Sequence, residues 1–293
     1  MVPDKYPRQE EGKWMKKWKS ARRPETSDRT QYHIGLRPED ITSSVLLPGD
    51  PARATLISKL WDSAKQMANK RSYVTYTGLY KKTPITATST GIGCPATAIA
   101  IEELASIGAR TLIRVGSSGA IQENISCGDL IITTGAVRYD GTSSQYVNPQ
   151  YPAFANHQVI LALIEAAESF GYPYHVGITC STDSFFTGQG RPGFNNYWQS
   201  QMDNLIPDLK AAQVLNFEME CSILLTLSNL FRLRGGAVCT VFANRVTDEF
   251  AVLGETEASK TACEAVKILS EWDALSAKKN KQTWFPSLGT GQK

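Results

Sequence analysis

Histidine is scarce. The 293 residues hold only His33, His157 and His175, far apart in the chain and never in an H-E-x-x-H arrangement. The six cysteines (Cys94, Cys127, Cys180, Cys221, Cys239 and Cys263) include no C-x-x-C pair, so the usual zinc-site spacings are missing and reduced core thiols are expected. No apolar run approaches the ~20 residues a membrane span needs; the greasiest stretch, 223–233, is broken by Thr, Ser, Asn and Arg. The first twenty residues lack the apolar core and small-residue cleavage site of a secretory leader, which makes the cytoplasm the expected location. A Walker-type G-x-x-x-x-G-K-[ST] loop and a G-x-S-x-G nucleophile elbow are both missing, which argues against nucleoside-triphosphate and serine-hydrolase chemistry.

Charge is modest and uneven. Residues 1–29 hold nine Lys/Arg against five Asp/Glu, leaving 22 against 23 for the rest of the chain. Trp14 and Trp18 interleave with the basic residues, a pattern that can suit nucleic acid or a membrane surface. A solvated tail is the commoner origin of such a pattern, and a net charge of +3 gives no nucleic-acid footprint. The chain is therefore divided into a partly ordered basic extension (1–30), one domain (31–285) and a frayed tail (286–293), with neither nucleic acid nor membrane as a partner.

Within the domain, strand-like and helix-like segments alternate, the pattern of an α/β fold. Apolar runs at 44–47, 83–89, 111–115, 129–134, 175–180 and 237–243 read as strands. Helical spacing appears at 52–60, from Pro95, at 159–170, 218–232 and 258–275. Glycine-rich segments follow several strands, where an α/β fold gathers its ligands.

Gly91-Ile-Gly93-Cys-Pro-Ala96 fits the G-x-G-x-x-A dinucleotide form. That fingerprint wants an acidic residue at the end of the next strand, and this chain offers Arg114 there, which suits a phosphate better. Pro48-Gly-Asp-Pro-Ala-Arg53 and Arg114-Val-Gly-Ser-Ser-Gly119 both put arginine beside glycine. A permanently charged fork of donors beside closely approaching backbone amides can cradle a small anion, although a lone arginine more often serves a surface ion pair. In the 183–191 segment, Gln189 and Arg191 together can read a planar amide-like edge, since glutamine both donates and accepts, with Phe185 or Phe186 stacking. A flexible polar loop is the plainer alternative. Glu218 and Glu220 are placed at the opening of an apolar helix, where they either complement the helix dipole or accept from vicinal sugar hydroxyls.

Phosphate cradle, planar-edge reader and sugar-binding acids on one α/β chain resemble the nucleoside phosphorylase-I family, in its uridine-cleaving branch. The motifs carrying the likeness, between about Tyr32 and Leu269, are PGDPAR, STGIG, RVGSSGAI, TGQGR, FEME and ANR. The resemblance implies a three-layer α/β/α fold around a mixed, partly barrel-like sheet. It implies a phosphate site of Gly49, Arg53, Arg114 and Ser117, joined by Arg71 from a neighbouring subunit. It implies uracil reading by Gln189 and Arg191 with Phe185 stacked on the ring, and a ribose site of Thr90, Glu218, Met219 and Glu220, with His33 crossing a dimer interface to the 5′-hydroxyl. Arg114, Gln189, Arg191 and Glu220 are then the catalytic set, and at least a homodimer is required. The expected reaction converts uridine and phosphate to uracil and ribose 1-phosphate, with no cofactor or metal. Ser117 stands where bacterial relatives have threonine, and Ser72 and Ala96 where they supply glutamate and serine to a monovalent cation. Phe242 and Ala243 replace aliphatic residues of the pocket wall. Two competing readings are a purine phosphorylase or nucleosidase of the same fold and a non-catalytic binding paralogue.

Overall fold

Three successive residues of β1 (Ser44–Pro48) show how the central sheet is buried: Leu46 enters one apolar cluster, while Val45 and Leu47 enter a second on the opposite face. Side chains alternate across a strand, so a strand apolar at every position must be covered on both sides. The first cluster packs the sheet against α1 (Pro51–Ser58), α3 (His157–Phe170) and α6 (Glu255–Lys278). The second packs it against α2 (Cys94–Ser106) and α5 (Cys221–Leu230). The result is an α/β/α arrangement. The computed structural model describes residues 18–290.

The other strands are β2 (Ser63–Lys70), β3 (Tyr73–Tyr80), β4 (Thr83–Thr88), β5 (Thr111–Ala120), β6 (Leu130–Tyr139), β7 (Ala153–Phe154), β8 (Tyr174–Thr182), β9 (Val214–Glu218), β10 (Arg234–Asn244) and β11 (Glu249–Phe250). They join in the order β11-β10-β6-β8-β9-β5-β1-β4-β3-β2, with β7 on β6. β10 also pairs in parallel with β5 along its length, so β5, β10, β6, β8 and β9 close into a five-strand ring. Parallel pairs (β1–β5, β6–β8) and antiparallel ones (β5–β9, β6–β10) coexist, making the sheet mixed and partly barrel-like. Among the described residues no helix is long and apolar enough to cross a membrane.

Local sequence explains the element ends. Asp50 caps α1 by accepting from Ala52 N, and Asn156 caps α3 through Gln158 N and Val159 N; such side-chain acceptors satisfy N–H groups that have no helical partner. Gly171 ends α3 at φ 68°, a left-handed conformation that glycine adopts without a Cβ penalty. Three readings are corrected. The glycine-rich turn expected after a strand at 111–115 is not one: residues 116–119 continue β5 to Ala120 because β10 pairs with them throughout. The 216–220 segment does not open a helix: β9 runs through Glu218, and α5 begins only at Cys221. The tail expected to fray instead forms α7 (Pro286–Thr290), where Leu288 is buried and Trp284 stacks on Trp272 at 3.7 Å; residues 291–293 lie outside the described part. Of the basic extension, residues 1–17 with Trp14 lie outside it too, while Trp18 pairs with Thr26 and Glu25 with Gln31 through isolated β-bridges.

Candidate active site

Arg114 is the fourth residue of β5 and only 5% exposed. Its Nε lies 2.8 Å from Glu218 Oε2 and its Nη2 2.5 Å from Glu220 Oε2, yet the Nε–H finds no aligned hydrogen-bond acceptor. Strand pairing brings these charges together, since β9 runs antiparallel to the end of β5 and delivers Glu218 and Glu220 as it turns into α5. Glycine is required beside the guanidinium: a Cβ at Gly116 would stand 2.7 Å from Arg114 Nη2 and 2.7 Å from Cys239 Sγ. Burial alone would lower the Arg114 pKa, but Glu220 and Glu218 hold it well above its ordinary value.

The two carboxylates differ in their partners. Glu218 accepts from Ser181 Oγ, Glu220 N and Cys221 N, so it caps the unpaired amides where α5 begins. Glu220 accepts from Gly93 N, at 2.5 Å, besides its contact with Arg114. Burial pushes the Glu220 carboxyl up, Arg114 pulls it down and Glu218 pushes it up again; the net direction is up. Two carboxylates facing one arginine leave the anion balance incomplete, and Glu220, with fewer donors, is the group whose proton adjusts.

Around this centre the turns named from sequence assemble. Gly91 N donates to Gly49 O and Thr90 N to Pro48 O, both at 2.9 Å, which ties the β1–α1 turn to the β4–α2 turn. A Cβ at Gly49 would lie 3.2 Å from Gly91 O and 4.0 Å from Arg114 Nη1. Met219 O accepts from Cys94 Sγ at 3.2 Å, and Ser117 lies three residues beyond Arg114 on β5, opposite Thr240. Arg53 joins through Val115 O at 3.3 Å, but its Nε and Nη2 both donate to Glu255 Oε1, at 3.1 and 2.5 Å. Phe242 lies under the same guanidinium.

A second group forms at the far end of β5. Arg191 donates from Nη1 to Gln189 Oε1 and to Phe185 O, both at 2.7 Å, and its guanidinium lies 4.0 Å from the Phe185 ring centre. Gln189 is buried, whereas Phe185 is 48% exposed. Arg245 pins the segment from behind, donating to Gln189 O at 2.8 Å and Gly190 O at 3.1 Å. A Cβ at Gly119 would sit 3.7 Å from Arg191 Nη2 and 3.5 Å from Arg245 Cγ. Burial and the neighbouring Arg245 lower the Arg191 pKa to about 10, which still leaves it charged at neutral pH.

His33 and Arg71 are placed elsewhere. His33 Nδ1 pairs with Glu103 at 2.7 Å, Arg71 sits at φ 57° in the β2–β3 turn, and both rings or charges pack about Tyr32. Neither makes a hydrogen bond or ion pair to the residues above. Ser72 and Ala96 do come together, since a Cβ at Gly91 would lie 2.8 Å from Ser72 Oγ and 3.9 Å from Ala96 Cβ. The residues that motif reading missed are Ser181, Asp140, Ser222 and Glu255; each supports another side chain, and isolated serines or acids carry no spacing signal.

Residues 44–271 match the phosphorylase superfamily. Over 274 residues the chain is 58% identical to a uridine phosphorylase of Thermococcus kodakarensis, covering 94% of this chain and 99% of that one. A uridine phosphorylase of Klebsiella aerogenes is 38% identical over 82% of this chain and 95% of its own. A guanosine phosphorylase of Halorubrum lacusprofundi is 35% identical over 74% of this chain and 84% of its own.

Proposed function

Because the chain belongs to the phosphorylase superfamily, we infer that it catalyses the reversible phosphorolysis of uridine to uracil and ribose 1-phosphate, as a pentosyltransferase. The 58% identity to a uridine phosphorylase across nearly the whole of both chains carries this reading. The geometry supports it through β5, which bears Arg114 at one point and, at Gly119, abuts the Gln189–Arg191 loop. The anion side and the base side thus face one strand.

Phosphate attacks the anomeric carbon as the glycosidic bond breaks, with inversion and without a covalent enzyme intermediate. Positive charge grows on the sugar and negative charge on the departing base. Phosphate, held by Gly49, Arg53, Arg114 and Ser117, offsets the first. Arg191 and Gln189 stabilise the uracil anion; a well-placed donor of this kind contributes roughly 3–4 kcal/mol in the transition state. Phe185 covers the ring. Glu220, with Glu218, Met219 and Thr90, holds the ribose in register for attack. Arg71 and His33 enter from a neighbouring subunit, to phosphate and to the 5′-hydroxyl, so the active form is at least a homodimer. No cofactor beyond co-substrate phosphate is needed, and a reducing cytoplasm suits six unpaired cysteines.

Asn244 argues against purine cleavage. Purine-cleaving relatives place an aspartate there to protonate the base, whereas both Nδ2 donors of Asn244 are used by Gln122 O and Ile125 O, and its Oδ1 by Val246 N and Thr247 N. The test is uracil release from uridine by the purified protein with and without phosphate, with inosine in parallel. Phosphate-dependent release from uridine alone is expected. Release without phosphate would make the protein a hydrolase, inosine cleavage would move it to the purine branch, and silence on both would leave a binding paralogue.

A further inference from the structure

At the start of α5, on Ser222, lies another buried acid for which the chemistry above has no use. Asp140 follows the last residue of β6 and is 6% exposed. Its Oδ1 accepts from Ser143 N at 2.6 Å, and its Oδ2 accepts from Ser143 Oγ at 2.7 Å and from Ser222 Oγ at 2.6 Å. Ser143 Oγ in turn accepts from Arg138 Nε at 2.9 Å, and Arg138 is itself fixed by the carbonyls of Val147, Asn148 and Tyr151. The acid is therefore held from its outer side by a rigid loop.

On its inner side Asp140 reaches the two segments that clamp Glu220. Ser222 is the second residue of α5; its N–H donates to Ser181 Oγ at 2.8 Å, and Ser181 donates to Glu218. The Ser222 hydroxyl also lies 3.5 Å from Cys94 Sγ, which donates to Met219 O. Cys94 follows Gly93, whose N–H holds Glu220 Oε1. Since the Ser222 O–H is given to Asp140, the hydroxyl oxygen can only accept from Cys94, whose one thiol proton is shared between Ser222 Oγ and Met219 O; through that proton the 93–94 turn is tied to the 219–222 turn, and Asp140 is the acceptor that orients the serine. Buried carboxylates that take three well-aligned donors fix those donors in return.

We infer that Asp140 is a positioning residue for Glu220, acting through Ser222. The inference rests on the reading that Glu220 receives the ribose hydroxyls, and it makes Asp140 a determinant of sugar discrimination. A carboxylate displaced by a fraction of an ångström keeps its charge but loses the geometry that separates a sugar with a 2′-hydroxyl from one without.

The test measures kcat/KM for uridine and for 2′-deoxyuridine in the full-length wild type, Asp140→Asn and Ser222→Ala. The ratio of the two substrates is the readout, because any loss of correctly folded enzyme lowers both equally and cancels. The uridine preference is expected to fall on the order of tenfold in Asp140→Asn and less in Ser222→Ala, which removes one hydroxyl and leaves the N–H bond to Ser181 in place. A ratio unchanged in both variants overturns the inference, even if total activity drops. If Asp140→Asn proves insoluble, Ser222→Ala alone decides. A wild type that cleaves uridine but shows no preference for it over 2′-deoxyuridine overturns the role given to Glu220, which separates that failure from a failure at Asp140.

Discussion

The surroundings of Arg114 and of Gly119, five residues apart on β5, are built on opposite plans. At Arg114 three charged side chains are buried where β5 meets the turn from β9 into α5, and each carboxylate is bonded to backbone amides or hydroxyls. At Gly119 the neighbouring group is a loop, with Phe185 and Phe186 exposed and Gly190 at φ 65°, held mainly by one arginine on two carbonyls. The first is paired by its own side chains; the second keeps the apolar surface of Phe185 and Phe186 in water. In the proposed reading, contacts common to every substrate of a phosphorolysis fall on the rigid side and those that choose the base fall on the loop, where change is tolerated.

Breaking the rigid side is expected to have the largest effect. Arg114→Ala leaves two buried carboxylates facing each other, which costs roughly 3–5 kcal/mol in comparable buried pairs, and it removes an anion contact as well. Thermal unfolding and phosphate-dependent kinetics should both collapse; a variant with unchanged phosphate KM would remove Arg114 from the phosphate site. Gln189→Leu strikes the other side. Stability should hold while uridine specificity falls tenfold or more, as expected when a polar edge loses its partner, and full uridine turnover would exclude Gln189 from the base site.

A smaller effect separates the two acids. Glu220 has its pKa raised, and the ionised form is the one that accepts hydroxyls. Uridine binding should therefore be complete above that raised value and be lost as pH falls through it, starting above the ordinary carboxylate range. Calorimetric titration without phosphate, which would add its own ionisation, should show this acid limb in the wild type; if the limb persists in Glu220→Gln, another group is responsible. The least disruptive change is Gly119→Ala, whose methyl would meet only ordinary contacts at 3.5–3.7 Å. It should alter turnover less than twofold, and a large loss would show that the two groups along β5 are packed more tightly than these distances indicate.

Much of this arrangement can be read along the chain, because glycine, proline and arginine mark it. Pro48–Arg53, Thr90–Gly93 and Gln189–Arg191 all occur where turns meet strand ends, and their side-chain chemistry names an anion and a planar edge. Other parts leave no such trace. β2 is polar and mostly exposed over Ser63–Lys70, so it shows no apolar alternation and emerges only by pairing with β3. The glycines of β5 imitate a turn, because a strand that packs against an arginine and a thiol must omit side chains at Gly116. Glu218 and Glu220 resemble a helical first turn in sequence, yet Glu218 ends a strand and satisfies the α5 amides from outside. Asp140 and Glu255 act across 82 and 202 residues of sequence, on Ser222 and Arg53 respectively, a separation that no local pattern can encode.

Helix α6 begins with Glu255 on Arg53 and, through its 24 residues, carries Trp272 near its other end, where the ring lies flat on Trp284. At 1.5 Å per residue the helix is about 36 Å long. It is a rod with the Arg53–Glu255 pair at one tip and a pair of coplanar indoles towards the other. Light absorbed there provides a built-in optical gauge: if phosphate displaces Glu255 from Arg53 and the rod tilts, the tilt would register as a change in indole emission, with no label added to the protein.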